Sequence, residues 1–156
     1  MDIITLLEKN IDLVVEKSCT QICEVKLKGY TKSGATMTKQ KLVSLYKKII
    51  ECAKKKELIP MLQYTEKIAK ERFASGYDLH EVQTAINSIE ENIWQLIFKN
   101  IRADKLAESL GLVSSILGAG KDNLARNYVA LATKTKVSTI NLQSLLSGSE
   151  SIADNG

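Results

Sequence analysis

The side chains best suited to chemistry in this sequence are its one histidine and its three cysteines. Cys19 and Cys23 stand four residues apart, so a helix would place both thiols on one face, where they could bind a metal or a redox partner. Only Cys52 and His80 could complete a set of four ligands, and no pattern brings them near that face. Because cysteine usually packs as a small apolar side chain, we predict no metal and no cofactor.

His80 is also a poor candidate for binding haem. An axial haem ligand has to lie inside an apolar pocket, whereas His80 falls at the second position of a predicted helix, where side chains usually face solvent. Serine and threonine form no catalytic pattern with this histidine, and the carboxylates are scattered over polar helix positions. The sequence therefore favours a binding module over an enzyme.

The segment ILGAGKDN, residues 116–123, has the look of a phosphate-binding loop but lacks its required residues. Ser115 stands where the motif needs its first glycine, and Asp122 follows Lys121 where the motif needs serine or threonine. No strand is predicted before the segment. We expect a helix instead, in which the small residues 118–120 cause a kink or let a neighbouring helix approach closely.

Lysine carries most of the net charge of +4. A run of basic residues lies along the second predicted helix: Lys39, Lys41, Lys47, Lys48 and Lys54–Lys56. A solvated helix face is the simplest interpretation, because nucleic-acid binders usually add arginines and stacking aromatic side chains. The alternative is a surface that binds an acidic partner or a nucleic acid.

Apolar residues repeat at three- and four-residue steps almost throughout, which predicts an all-α protein. We predict a single-domain helical bundle over residues 1–146, with five main helices plus a short C-terminal helix, and a flexible tail over residues 147–156. The main helices are predicted over about 2–27, from a cap at Thr38 through the AKKKEL segment, from Pro60 through Phe73, over 79–101 and over about 104–133. Residues 28–36 are predicted as a loop and 136–146 as the short helix.

The sequence SGYDLHEV, between the third and fourth predicted helices, combines several turn signals. Gly76 suits a helix C-terminus that needs a positive φ. Asp78 is a good N-cap, and Glu81 completes a capping box three residues later. Tyr77 and Val82 occupy the two positions of a hydrophobic staple. These residues are expected to end one helix, begin the next and set the angle between them.

The wider segment, Arg72-x-x-x-Gly76-Tyr77-x-Leu79-x-Glu81-Val82 followed by Ile93-Trp94, resembles a known family. It is similar to the N-terminal domain of RsbR-type co-antagonists of RsbT, which are bacterial stress-signalling proteins that assemble into the stressosome. The similarity covers about residues 60–101, and the rest of the chain matches only as a helical pattern. Glu90 and Glu91 depart from the family, in which that face is often basic.

The resemblance implies a globin-like fold without haem, usually dimeric, with a sensory or regulatory role upstream of an output domain. The motif residues that it singles out are Arg72, Gly76, Tyr77, Asp78, Leu79 and Glu81. We therefore predict a non-enzymatic signalling domain that acts through a homodimer and through contacts with a regulatory protein.

Trp94, Ile97 and Ile101 are the predicted interface residues of this homodimer. The apolar surface of the fourth helix is wider than one neighbour needs, and tryptophan is enriched at interface hot spots. We expect no contact with membranes, because no apolar run approaches the roughly 18 residues that span a bilayer. With no recognisable leader and an odd number of cysteines, the protein is predicted to be cytoplasmic.

Overall fold

Six α-helices make up almost all of the chain that the structure describes. The computed structural model describes the backbone of residues 1–147 and the side chains of residues 1–134. The helices are α1 (Ile3–Lys9), α2 (Ile11–Val25), α3 (Lys28–Lys55), α4 (Ile59–Ala74), α5 (Leu79–Asn100) and α6 (Ala103–Ser147). Since no strand occurs in residues 1–147, the predicted all-α class is confirmed. The predicted tail, from residue 148 onwards, lies outside the described residues.

The first predicted helix is wrong as a single element, because the chain breaks at Asn10 into α1 and α2. The Asn10 side-chain amide donates a hydrogen bond to the carbonyl oxygen of Leu6 at 2.8 Å. Its backbone N–H donates to the carbonyl oxygen of Leu7. An asparagine that binds nearby backbone groups competes with the regular helical bonds, so the helix ends here and restarts at the next residue.

The predicted loop over residues 28–36 is also wrong, because α3 begins at Lys28. Only Gly34, with φ 84° and ψ 166°, departs from helical backbone and kinks the helix. Thr38 is not an N-cap: it is buried inside α3, and its hydroxyl donates to the carbonyl oxygen of Gly34 at 2.9 Å. Tyr30, within the predicted loop, is buried in the core, and this packing stabilises the helical turn around it.

The short C-terminal helix predicted over residues 136–146 is not separate, since α6 runs without a break to Ser147. Neither glycine nor proline occurs between residues 121 and 147 to interrupt it. Within residues 103–134, the last buried position of α6 is Tyr128, and most of residues 129–134 are exposed. At 1.5 Å per residue the helix is about 68 Å long from Ala103 to Ser147.

The core is built around α3, which contacts each of the other five helices, while α5 packs between α2 and α6. The largest side chains that are fully buried are Tyr46, Leu6, Leu7, Ile22, Ile49, Met61, Ile89, Ile93, Ile97, Ile116, Leu117 and Leu124. Tyr46 brings a hydroxyl into this apolar interior, and it donates to the carbonyl oxygen of Leu7 at 2.7 Å. The aliphatic stripes read from the sequence thus do form one common core.

Gly120 lies where α6 approaches α4 closely, so at this one of the small residues 118–120 the prediction of a closely approaching neighbour is confirmed. A Cβ atom added there would lie 2.9 Å from Cγ of Met61, whereas one added at Gly118 would meet nothing within 4 Å. Nearby, the Asn123 amide donates to the Leu62 carbonyl and to the Thr65 hydroxyl, at 2.9 and 3.0 Å.

The two glycines provide a matched test of this packing. We expect Gly120→Ala to destabilise the protein by about 1–3 kcal/mol, because the new methyl group overpacks the contact with Met61. Gly118→Ala, on open surface of the same helix, should stabilise it by roughly 0.5–1 kcal/mol through helix propensity. The free energy of unfolding in urea measures both changes. Equal effects of the two substitutions would contradict the close approach.

Candidate functional site

The end of α4 forms the turn that the sequence predicts. Gly76 has φ 83°, in the left-handed region that favours glycine. Its N–H donates to the carbonyl oxygen of Phe73 at 3.2 Å, and the N–H of Tyr77 donates to that of Arg72 at 2.9 Å. This pair of bonds is the Schellman motif, which satisfies carbonyl groups that a helix end would otherwise leave without partners.

The start of α5 is held by Glu81, which is almost completely buried. Asp78 and Glu81 form the predicted capping box, in which Oε2 of Glu81 accepts a hydrogen bond from the Asp78 N–H at 2.9 Å. Oε1 accepts from the N–H of Gly29, in the first turn of α3, at 2.6 Å. One carboxylate therefore satisfies the N-terminal turns of two helices, where negative charge is favourable. Leu79 packs half-buried against the core.

Tyr77 connects this corner to α3 and α6. Its ring lies so close to Gly29 that a Cβ atom there would come within 2.6 Å of a ring carbon. Its hydroxyl is hydrogen-bonded to the Ser33 hydroxyl and accepts from Nζ of Lys41 at 2.7 Å. Its backbone carbonyl accepts from the hydroxyl of Tyr128, on α6, at 3.1 Å. Displacement of Tyr77 would therefore disturb three helices together.

Arg72 is the polar residue at this corner whose bonding is incomplete. Its side chain is buried, yet its Nε makes no hydrogen bond within the described residues. The nearest carboxylate to its guanidinium is that of Glu71, 3.4 Å from Nη1 and half exposed to solvent. The guanidinium carbon also lies 5.8 Å from the centre of the Tyr77 ring. A buried guanidinium whose one ionic partner is distant and half exposed is costly, because little offsets the loss of its hydration.

A cleft of about 560 Å³ opens beside Arg72, between α3 and α4. Four cationic side chains line it together with one carboxylate and several apolar groups: Lys41, Lys48, Lys67 and Arg72; Glu71; Met37, Pro60, Tyr64 and Ile68. Clefts of this size hold small-molecule ligands in many proteins. Sequence reasoning missed the cleft, although Lys41 and Lys48 are seven residues apart and so share one face of α3.

Neutral phenols surround the guanidinium. Burial raises the pKa of Tyr30 and of Tyr64 to about 12, and the positive charge of Arg72 opposes that rise in both; at Tyr30 a hydrogen bond from Arg72 opposes it as well. Burial likewise raises the pKa of Tyr128 to about 12. These hydroxyls stay protonated at neutral pH, so they cannot supply the negative charge that Arg72 lacks.

The cysteines and the histidine do not converge. Cys19 and Cys52 are buried and Cys23 is exposed, and burial raises the pKa of both buried thiols. His80 is exposed at the start of α5, as predicted. Among the residues that the structure describes, no group of three or more histidine, cysteine, aspartate or glutamate side chains could hold a metal ion.

The basic run on α3 is largely neutralised within the protein. Four of its seven lysines lie within 4 Å of a carboxylate: Lys39 with Glu16, Lys48 and Lys55 with Glu51, and Lys54 with Glu8. Lys41 donates to Tyr77 instead. Only Lys47 and Lys56 remain without either kind of partner in the described part of the chain, which weakens the case for a nucleic-acid surface.

Of the three residues predicted at the dimer interface, only Trp94 is exposed to solvent. Ile97 and Ile101 are buried in the core, so placing them at an interface is wrong. The apolar surface of α5 is wide because it packs against both α2 and α6 within one chain. Trp94, by contrast, is 39% exposed, and Phe98 one turn later is 60% exposed.

Comparison of the chain with known protein families, characterised proteins and solved structures gives no match. The resemblance to RsbR-type domains, and with it the globin-like arrangement, therefore stays a prediction from the Arg72–Val82 pattern. Within residues 1–147, no helix combines the length and the apolar character that crossing a membrane requires.

The bridging role of Glu81 is testable with a near-isosteric change. Glu81→Gln retains one acceptor oxygen and turns an amide NH₂ towards an N–H donor, so we expect a loss of about 1–3 kcal/mol in the free energy of unfolding. Glu66→Gln removes an exposed carboxylate that lies 3.4 Å from Lys70, and should change stability by less than about 0.5 kcal/mol. If Glu81→Gln unfolds with the wild-type midpoint and slope in guanidinium chloride, the bridge contributes nothing.

The buried phenols predict a loss of stability at alkaline pH. Their folded pKa of about 12 lies above the usual value near 10, so they stabilise the protein fully below about pH 10 and cease to do so as the pH rises through about 12. The free energy of unfolding should fall across this window. Phenolate absorbance should show these groups ionising later in the native protein than in the denatured protein. Coincident titrations would contradict the burial of these groups.

Proposed function

We propose that this chain is a non-enzymatic regulatory domain, which responds to a bound partner or ligand and transmits the change through α6. The observation that supports it most directly is the position of Tyr77. This residue bonds Lys41 of α3 through its hydroxyl and Tyr128 of α6 through its carbonyl. A change at the cleft, where Lys41 lies, is therefore two hydrogen bonds away from α6.

The form of α6 suits an output element. Its buried residues extend to Tyr128, beyond which Val129 and the residues up to Lys134 are mostly exposed. A helix that is buried along one part and mostly exposed along the next can pass on a change of position. A ligand that binds one of two arrangements better than the other shifts the population towards it.

The polar groups of the corner support a regulatory role over a catalytic one. Glu81 is engaged by two backbone N–H groups and Asp78 caps a helix. Both carboxylates of the corner are thus already engaged in holding helix ends. The regulatory role is also what the resemblance to RsbR-type N-terminal domains implies. The proposal includes a regulatory protein as partner and, from the odd number of cysteines, a cytoplasmic location.

The proposal includes a homodimer formed through Trp94 and Phe98. These two large apolar side chains are exposed one helical turn apart on α5. Aromatic residues of this kind are enriched in the centres of protein interfaces. This pair replaces Ile97 and Ile101, which the fold buries.

The solution mass and the composition of captured complexes test the proposal together. The wild-type chain should sediment as a dimer, and Phe98→Glu should be monomeric. Val25→Glu is the control, because Val25 is also 60% exposed but lies on α2. A wild-type protein that is monomeric at every concentration tested would remove the dimer.

Capture from a native lysate separates the regulator from the alternative nucleic-acid binder. We expect a discrete protein partner whose recovery survives nuclease treatment and depends weakly on salt. If nucleic acid alone is recovered, and its binding falls steeply as salt rises, the alternative through the α3 lysines is favoured instead.

A further inference from the structure

We infer that the cleft between α3 and α4 binds a small amphiphilic anion: an oxyanion group, carboxylate or phosphate, on an apolar body. The inference rests on the proposed regulatory function for its purpose and adds to it the chemical class of the ligand. The residues that would bind the anion are Arg72, Lys41 and Lys67.

Arg72 supplies the first argument. Its side chain is more than nine-tenths buried and lines the cleft, and its Nε has no partner in the described residues. The half-exposed carboxylate of Glu71, 3.4 Å from Nη1, is too distant for a strong bond. A planar guanidinium presents a fork of N–H donors that matches two oxygens of a carboxylate or phosphate. An oxyanion in the cleft would give the guanidinium a stronger anionic partner than the distant carboxylate of Glu71.

The charges around the cleft supply the second argument. Lys41, Lys48, Lys67 and Arg72 line it, opposed by Glu71 alone among the lining residues. Lys48 is partly neutralised by Glu51, which is also shared with Lys55. Lys67 pairs with no carboxylate in the part of the chain that the structure describes. Several cations around one cleft raise the local concentration of anions, although solvent screens the charge of the exposed Lys67.

The apolar residues that line the cleft indicate the chemistry of the rest of the ligand. Met37, Pro60, Tyr64 and Ile68 offer apolar surface next to the cations. A volume of about 560 Å³ suits a molecule of modest size with an apolar portion, and is more than a free inorganic ion needs.

An anion bound in the cleft would affect α6, the proposed output element, through Lys41 and Tyr77. Lys41 donates to the Tyr77 hydroxyl at 2.7 Å, and its Nζ lies 4.5 Å from the centre of the Tyr77 ring. An anion in the cleft would compete with Tyr77 for this lysine. Tyr77 in turn bonds Tyr128 on α6. The ligand would therefore act on the same residues that connect the corner to α6.

The test compares four probes on the full chain by amide NMR titration: octanoate, octyl phosphate, octanol and inorganic phosphate. We expect both amphiphilic anions to shift amides along the cleft, and the stronger of the two identifies the oxyanion. Octanol and inorganic phosphate should each bind at least about tenfold more weakly, since each lacks one half of the recognised chemistry.

Two lysine substitutions that change the net charge equally provide the matched control. Lys67→Glu, in the cleft, should weaken octanoate binding by about threefold to tenfold. Lys47→Glu alters the net charge by the same amount on an exposed position outside the cleft and should leave the affinity unchanged. Arg72→Gln should lose the preference for octanoate over octanol. Should that variant unfold, the lysine pair still decides the question.

Three results would overturn the inference: equal affinity for octanoate and octanol, equal loss from both lysine substitutions, or no shift of cleft amides at roughly 10 mM probe. If any of these occurs while the protein still forms a dimer and retains a nuclease-resistant protein partner, only the ligand assignment fails. If the dimer and the partner are absent but the anion binds, the regulatory proposal fails and the site stands.

Discussion

The buried carboxylate of Glu81 is the interaction on which the rest of the corner depends. It accepts one hydrogen bond from the start of its own helix and one from Gly29 of α3, so it fixes where two helices begin relative to each other. That placement brings the Tyr77 ring onto Gly29, and Lys41 to the Tyr77 hydroxyl. A partly exposed carboxylate would do this weakly, since water would compete for both N–H groups. Its burial is what makes the geometry definite.

Much of this corner can be predicted from the sequence because its chemistry is local. Gly76, Asp78 and Glu81 find partners within a few residues, and short spacing alone defines a Schellman motif and a capping box. The second bond of Glu81 reaches a residue 52 positions away, and no spacing rule reveals it. The break at Asn10 likewise depends on one side-chain bond that periodicity does not register.

The errors about the site have a common physical origin. An apolar stripe shows that a face is buried but not how many neighbours cover it. The stripe therefore predicts that Ile97 contacts a second copy of the chain, whereas Ile97 is fully buried and α5 packs against α2 and α6. In the same way, lysines at helical spacing show a basic face, but whether carboxylates from other helices neutralise it depends on the tertiary fold. Arg72 stood out as part of a motif, while its burial and its missing partner exist only once α3 and α4 are packed.

As the proposed output element, the uninterrupted α6 would serve as a lever arm. From Tyr128 to Ser147 the helix covers about 28 Å at 1.5 Å per residue, with no glycine or proline to act as a hinge. A tilt of about 10° with its pivot at Tyr128 would therefore sweep Ser147 through about 5 Å, roughly the pitch of one helical turn. Sub-ångström rearrangements beside Tyr77 would be geometrically amplified by this stiffness, without any need for the bundle itself to change shape.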